Sequence, residues 1–274
     1  MCFAFRRAAL GALAVVALTS VASARELRVC ADPNNLPFSN DRGEGFENRI
    51  ARIVADEIGA EVSFVWWAQR RGYVRNTLKA GLCDLVPGAA VGVPGMATTR
   101  PYYSSTYVFV TRAGEPVVSS FDDPGLRTRL VGVQLVGDDG WNTPPAHALA
   151  ARGVVANVRG YNLYGDYRQP NPPARIVDAV ASRDIDVAVA WGPMAGYFAT
   201  REPAKLVVTP VDPAATPPLP PMRFDIAMGV RPADKSLRDD IQGALDRRRA
   251  DIDAVLASYG VPRVDAGAVA GARP

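Results

Sequence analysis

A short apolar run that stops in turn residues and is answered by a helical repeat constrains this chain more than any other stretch. Leu27, Val29 and Ala31 interleave with Arg28 and Cys30, enough for a strand buried in a sheet. Asp32-Pro33-Asn34-Asn35 then ends the run with a cluster of turn formers. After a loop rich in Asn, Asp and Gly, Phe46, Ile50, Ile53, Val54, Ala55 and Ile58 recur at helical spacing. Strand, polar loop and helix in that order begin a βαβ unit. In open α/β sheets, ligands sit beyond the carboxyl ends of the strands, so Asp32, Asn34, Asn35 and Phe38 are candidate binding residues. A purely turn-making role competes with this reading at Pro33, and less at Asp32, which directly follows the strand.

The same alternation continues. Glu61 to Trp66 reads as a second strand with the loop Trp67 to Gly72 at its end. Tyr73 to Ala80 reads as a helix capped by Gly81, Asp84 to Gly88 as a third strand and Thr106 to Thr111 as a fourth. Right-handed crossovers make the first three parallel. A second series opens with the strand Leu130 to Val136, the loop Gly137 to Trp141 and the helix Pro144 to Arg152. The strand Val154 to Val158, the loop Gly160 to Gly165, the helix Pro173 to Arg183 and the strand Asp186 to Ala190, ending in Trp191, come next. The helix Met194 to Arg201 and the strand Leu206 to Val211 complete it. Pro213 to Pro221 reads as linker. Arg223 to Arg231 returns as a strand, and Lys235 to Tyr259 is the longest expected helix, ended by Gly260. The fold class is therefore α/β and bilobed, two α/β lobes joined by two crossing strands with a cleft between them. Residues 25–109 plus 224–263 form lobe 1, 110–223 the inserted lobe 2, and 264–274 a disordered tail. Hinge closure around a ligand is the usual behaviour of such a cleft.

Arg6 and Arg7, an apolar run from Ala8 to Ala17 and Ala22-Ser23-Ala24 read as a secretory signal over residues 1–24. The run is too short for a spanning helix; an uncleaved anchor is the weaker alternative. The expected product is exported to the periplasm, with no membrane insertion after signal removal. Its formal charge of +3 falls to +1 without the two leader arginines, and no basic stripe supports nucleic-acid binding. Cys30 and Cys83 remain in an oxidising compartment. Two thiols there suggest a disulfide, but one sits near the end of the first strand and the other just before another parallel strand. Since bridging needs Cα atoms within roughly 7 Å, the pairing stays open.

His147 is the single histidine, which rules out a multi-histidine metal site, and no Ser-His-Asp triad is legible around it. Asp138-Asp139 falls far short of the six to eight oxygens a calcium-like ion takes. No catalytic residue, metal or cofactor is assigned.

The strings GFENRIARIVADEIGAEVSF, GLCDLV and RPYY before a hydrophobic strand resemble the family-3 periplasmic solute-binding proteins, best known as amino-acid receptors of ABC importers. RVCADPNNLPFSN, WWAQRRGYVRNTLKAG, GVQLVGDD, NVRGYNLYGDY, DVAVAWGPMAGYF and FDIAMGVR look more closely like the J proteins (MxaJ/XoxJ type) of bacterial methanol-oxidation gene clusters. These are also described as quinoprotein-dehydrogenase-associated substrate-binding proteins. The likeness implies a periplasmic-binding-protein fold and, as partner, a PQQ-dependent methanol or alcohol dehydrogenase or its cytochrome c. The family's amino-acid receptors hold a zwitterion with an arginine after the third strand and an acid in the second lobe. Here Val91 to Thr99 carries no arginine, Trp191 stands for the acid, and Asn35 replaces the stacking aromatic. Burying two charges without partners costs several kcal/mol each, so a free amino acid is a poor ligand. The residues offered instead are Trp66, Trp67, Trp141, Trp191, Tyr102 and Tyr161, with Asp32, Asp138, Asp139, Arg70 and Arg71. Large rings are as often packing residues.

Two functions follow as expectations. One is a non-enzymatic accessory protein that binds the dehydrogenase for maturation or activation. The alternative is a receptor delivering a ligand other than a standard amino acid to an ABC permease. An enzyme is disfavoured because no nucleophile–base pair is legible.

Overall fold

The computed structural model describes residues 25–136, 142–211 and 220–264. The expected signal segment, Asp138, Asp139 and Trp141, most of the Pro-rich stretch and the tail from Asp265 lie outside the described residues.

β1 (Arg25–Ala31) runs into a small hairpin, β2 (Asn34–Asn35) with β3 (Ser39–Asn40), which contains a cis Leu36–Pro37 bond. α1 (Phe46–Glu57) buries Phe46, Ile50, Ala51, Val54 and Ala55 on one face, as the periodicity predicts. β4 (Ala60–Trp66) lies parallel to β1, with Val29 opposite Phe64. On the other side of β1, Leu85 bridges Val29 in parallel, and the Cys30 amide donates to the Leu85 carbonyl at 2.8 Å. That adjacency resolves the cysteine question: Cys30 and Cys83 are joined by a disulfide, their Cα atoms 5.4 Å apart.

α2 is a single turn, Tyr73–Asn76, shorter than the expected helix to Ala80. The Thr77 hydroxyl donates back to the Tyr73 carbonyl at 2.7 Å, a local bond that competes with helix continuation. β5 (Val86–Ala90) and β6 (Ala97–Thr98) follow, and then β7 (Tyr103–Arg112), longer at its start than the sequence suggests.

β8 (Val131–Leu135) and α3 (Pro144–Ala151) agree with expectation. β9 occupies Val158–Asn162, not Val154 to Val158. Val154 instead turns back onto α3, its amide donating to the Leu149 carbonyl at 3.0 Å, and it is buried there. α4 (Arg175–Ala181) follows a 3-10 turn over Pro172–Ala174, and β10 (Val187–Trp191) leads directly into α5 (Gly192–Ala199). β11 (Leu206–Pro210) and β12 (Arg223–Val230) come next. The expected long helix is two, α6 (Lys235–Arg247) and α7 (Arg249–Ser258), broken at Arg248. Gly260, at φ 65°, ends the second in the left-handed conformation glycine tolerates.

β7 organises the sheet. Its first residues, Tyr103 to Thr106, pair antiparallel with β12, and its later ones pair antiparallel with β10 and β11. β10 runs parallel to β8, and β8 parallel to β9. Period-2 alternation along β7 sends Val108 and Val110 into one core with Ile176, Val180 and Met194, and Phe109 into the opposite core with Phe121, Leu126 and Leu149. A third core joins Phe46, Ile50, Leu85, Met228, Ile241 and Leu256 around β1 and α1. The returning chain meets β7 where it changes partners, with the Thr106 hydroxyl and Tyr107 amide both donating to the Met222 carbonyl. This is a bilobed α/β arrangement, with β7 and β12 passing between the lobes.

Candidate functional site: an aromatic cleft between the lobes

A cleft of about 700 Å³ opens between the end of β1 and the loops after β9 and β10. Asp32, Asn34, Asn35, Phe38, Arg70 and Trp191 all line it, brought together from the segment after β1, the loop after β4 and the end of β10. The remaining expected residues lie elsewhere. Tyr102, 2% exposed, is a core residue whose hydroxyl donates to the Pro87 carbonyl at 3.2 Å. Tyr161 sits on β9 and faces a second, more polar hollow with Arg159 and Arg175. Trp67 and Arg71 are exposed beside the cleft without lining it, and Trp66 stacks on Phe64 at 5.2 Å. Asp138 and Trp141 fall outside the described residues.

Asp32 is occupied. One carboxylate oxygen accepts the Asn34 amide at 2.8 Å; the other accepts the Gln69 amide at 2.6 Å and the Tyr167 hydroxyl. Tyr167 belongs to the loop after β9, across the cleft. Its neighbours repeat the bridging: Asn34 donates to the Gln169 carbonyl at 2.9 Å, and the Arg70 guanidinium lies 4.6 Å from the Tyr167 ring centroid. Burial and the Asp32 carboxylate push the Tyr167 phenol far up, so it stays a hydrogen-bond donor at neutral pH.

The inner wall is aromatic. Trp191, Tyr107 and Phe224 contact one another nearly at right angles, with ring centroids 5.4 to 6.5 Å apart. Burial pushes the Tyr107 phenol up to about 12. Phe38 supplies an aromatic three residues after Asn35. At the inner end is Glu47, a residue the sequence reading passed over. It sits in the first turn of α1 and faces Gly88, where an added Cβ would come 2.1 Å from its Oε1. Among the described residues, no hydrogen bond or ion pair reaches its carboxyl group. Burial, and then the Asp32 charge, push it up to about 8, so it is mostly protonated at neutral pH. Arg75 and Lys79 stand with Arg70 on the outer lip.

Among the described residues, no group of three His, Cys, Asp or Glu side chains is disposed to hold a metal ion, and no helix is long and apolar enough to cross a membrane. The arrangement suits holding a ligand: polar groups at the rim, rings on the wall and the half-buried Glu47 carboxyl group.

Comparison with known proteins agrees. The chain is 37% identical over 249 residues to protein MoxJ of Methylorubrum extorquens, covering 86% of this chain and 81% of that one. Its structure is similar to the periplasmic binding protein XoxJ from Methylobacterium extorquens AM1, with a TM-score of 0.73 at 37% identity, over 87% of this chain and 99% of that one. It is also similar to MxaJ from Methlophaga aminisulfidivorans MPT, with a TM-score of 0.73 at 27% identity, over 87% of this chain and all of that one. The model of the bacterial extracellular solute-binding proteins, family 3, matches residues 27–261, and the chain belongs to that family.

Proposed function

We propose that this is a non-enzymatic periplasmic accessory protein of a PQQ-dependent methanol or alcohol dehydrogenase, which it binds during maturation or activation. The observation that carries the proposal is the likeness to protein MoxJ along 86% of the chain. In sequence the chain resembles a class tied to methanol-oxidation gene clusters. The cleft supports the reading chemically: Trp191 is built into an aromatic wall where an amino-acid receptor needs a carboxylate. Trp67, 42% exposed, stands beside Arg70 and Arg71 at the cleft mouth, and Trp and Arg are residue types enriched at interface hot spots. Residues 25–109 with 224–263 would move as one lobe and 110–223 as the other.

The test is calorimetry of the mature chain with its cognate dehydrogenase. Trp67→Ala is expected to weaken binding by at least ~2 kcal/mol, roughly thirtyfold. If the wild type does not bind, and deleting the gene leaves dehydrogenase activity intact, the accessory role is excluded. The cleft volume favours a second reading, delivery of a small ligand to an ABC permease. A permease and ATPase encoded beside this gene, in place of a dehydrogenase and cytochrome c, would favour it.

A further inference from the structure

Three features line one cavity in the cleft. A carboxyl group without a protein partner, Glu47, faces the space. The charge that bears on it is a second carboxylate, Asp32. The rings of Tyr107, Trp191 and Phe224 form a corner of nearly perpendicular faces on the same cavity. Aromatic faces are electron-rich and attract cations, most strongly when water is excluded, and quaternary ammonium ligands are often held this way.

We propose that the inner cleft binds a small organic monocation of the alkylated-ammonium class, with Glu47 as counter-charge and the Tyr107–Trp191–Phe224 corner around the alkyl groups. The proposal rests on the cleft being a ligand site, and not on the identity of any protein partner. Arg70, Arg75 and Lys79 at the outer lip select against a second positive charge on the ligand. Glu47 is unpaired because its partner is the ligand. A carboxylate withdrawn from water with no counter-ion is costly, and Glu47 avoids that cost by keeping its proton. On binding, the Glu47 O–H bond breaks, its proton leaves to solvent and the carboxylate pairs with the cation.

The titratable groups packed around Glu47 are Asp32 just after β1, Tyr73 on α2, Tyr102 just before β7 and Tyr103 at its start. Burial raises all three phenols, which do not titrate near neutral pH. With Glu47 at about 8 in the empty protein, cation affinity should rise with pH and level off above that value.

The experiment is calorimetry of the mature chain with choline and tetramethylammonium, and with 3,3-dimethylbutan-1-ol as the uncharged isostere of choline. At least one cation should bind about tenfold or more tighter at pH 9 than at pH 6, releasing protons below pH 8. The isostere should bind at least about tenfold more weakly than choline at pH 9. Glu47→Gln keeps the shape and should abolish both the pH dependence and the preference for charge. Gly88→Ala pushes on the flexible end of Glu47 rather than on backbone, so it should weaken the cation while the fold, checked by thermal melting, is retained. No binding by either cation, equal binding of the isostere, or an unchanged pH profile in Glu47→Gln would each overturn the proposal. The dehydrogenase titration is read separately, so one failure does not imply the other.

Discussion

Glu47 and Asp84 show how one side-chain chemistry takes opposite roles. Glu47 is held above the ordinary carboxylate range, at about 8, by burial and then by Asp32. The folded chain therefore keeps a proton that the unfolded chain releases, and stability should fall as pH rises from the ordinary carboxylate value to about 8, then level. Urea melts at intervals between pH 5 and 9 should show that slope, and Glu47→Gln should flatten it. Burial also acts to raise Asp84, but hydrogen bonds from Arg28 (2.7 and 2.9 Å) and Arg231 (2.9 Å) outweigh it and hold the group low. Its contribution is present above the usual carboxylate range and lost as pH falls through the lowered value. Asp84→Asn should cost about 1–2 kcal/mol at pH 7, discounted because the Arg28 and Arg231 side chains are partly solvated. The cost should vanish in strongly acidic melts. Asp32 was legible in the sequence because it directly follows an apolar strand. Glu47 was not, since FENRIARI gives it the spacing of any solvated helix position. Gly88, Tyr102 and Tyr103, which stand around it, come from distant parts of the chain.

At the scale of elements, the sequence carried periodicity well and pairing poorly. α1 ends within a residue of its apolar repeat, and β1 and β4 are parallel as right-handed crossovers require. β9 slipped four residues because Val154 and Val155 look like the start of a strand, whereas Val154 packs under the end of α3. The continuous stripe Ile241, Leu245, Ile252 and Leu256 hid the break at Arg248, since both helices bury those residues in one core. The disulfide was open in the sequence because Leu85 beside Val29 is a long-range pairing. The bridge closes a loop with a sequence separation of 53 residues, for which loop-closure entropy gives roughly 4 kcal/mol. Replacing both Cys30 and Cys83 with alanine should therefore lower stability by about 2–4 kcal/mol. A denaturant series in which the double variant matches the wild type would show the bridge to be energetically idle.

At the scale of the whole molecule, the described residues bring the lobes together both at the back and at the front of the cleft. At the back, the Tyr197 and Tyr259 rings stack at 5.5 Å, the Ser105 hydroxyl donates to the Pro262 carbonyl at 2.6 Å, and an added Cβ on Gly196 would meet the Gly260 carbonyl at 2.4 Å. That side is packed backbone to backbone. Gly196→Ala should destabilise by about 1–3 kcal/mol, because no flexible side chain can yield. At the front, among the described residues, polar contacts cross the cleft, Tyr167 on Asp32, Asn34 on Gln169 and Arg70 over the Tyr167 ring, beside Leu36, which is buried in the core of the other lobe. A hydrogen bond to a charged acceptor contributes a net ~1.5–3 kcal/mol when buried, and this one is only partly so. Tyr167→Phe keeps the ring under Arg70 and removes only the bond to Asp32. Losing about 1.4 kcal/mol would multiply the open-to-closed ratio roughly tenfold. The expected outcome is a larger radius of gyration by small-angle scattering for Tyr167→Phe, with faster amide exchange in the loop after β9 and unchanged exchange around Tyr197 and Tyr259. A cation bound at Glu47 should act in the opposite direction if it contacts both lobes, since Glu47 and Trp191 come from opposite sides of the cleft. An unchanged radius and exchange pattern in Tyr167→Phe would mean that the back packing alone sets the angle between the lobes. The cleft would then be a fixed pocket and not a closing one.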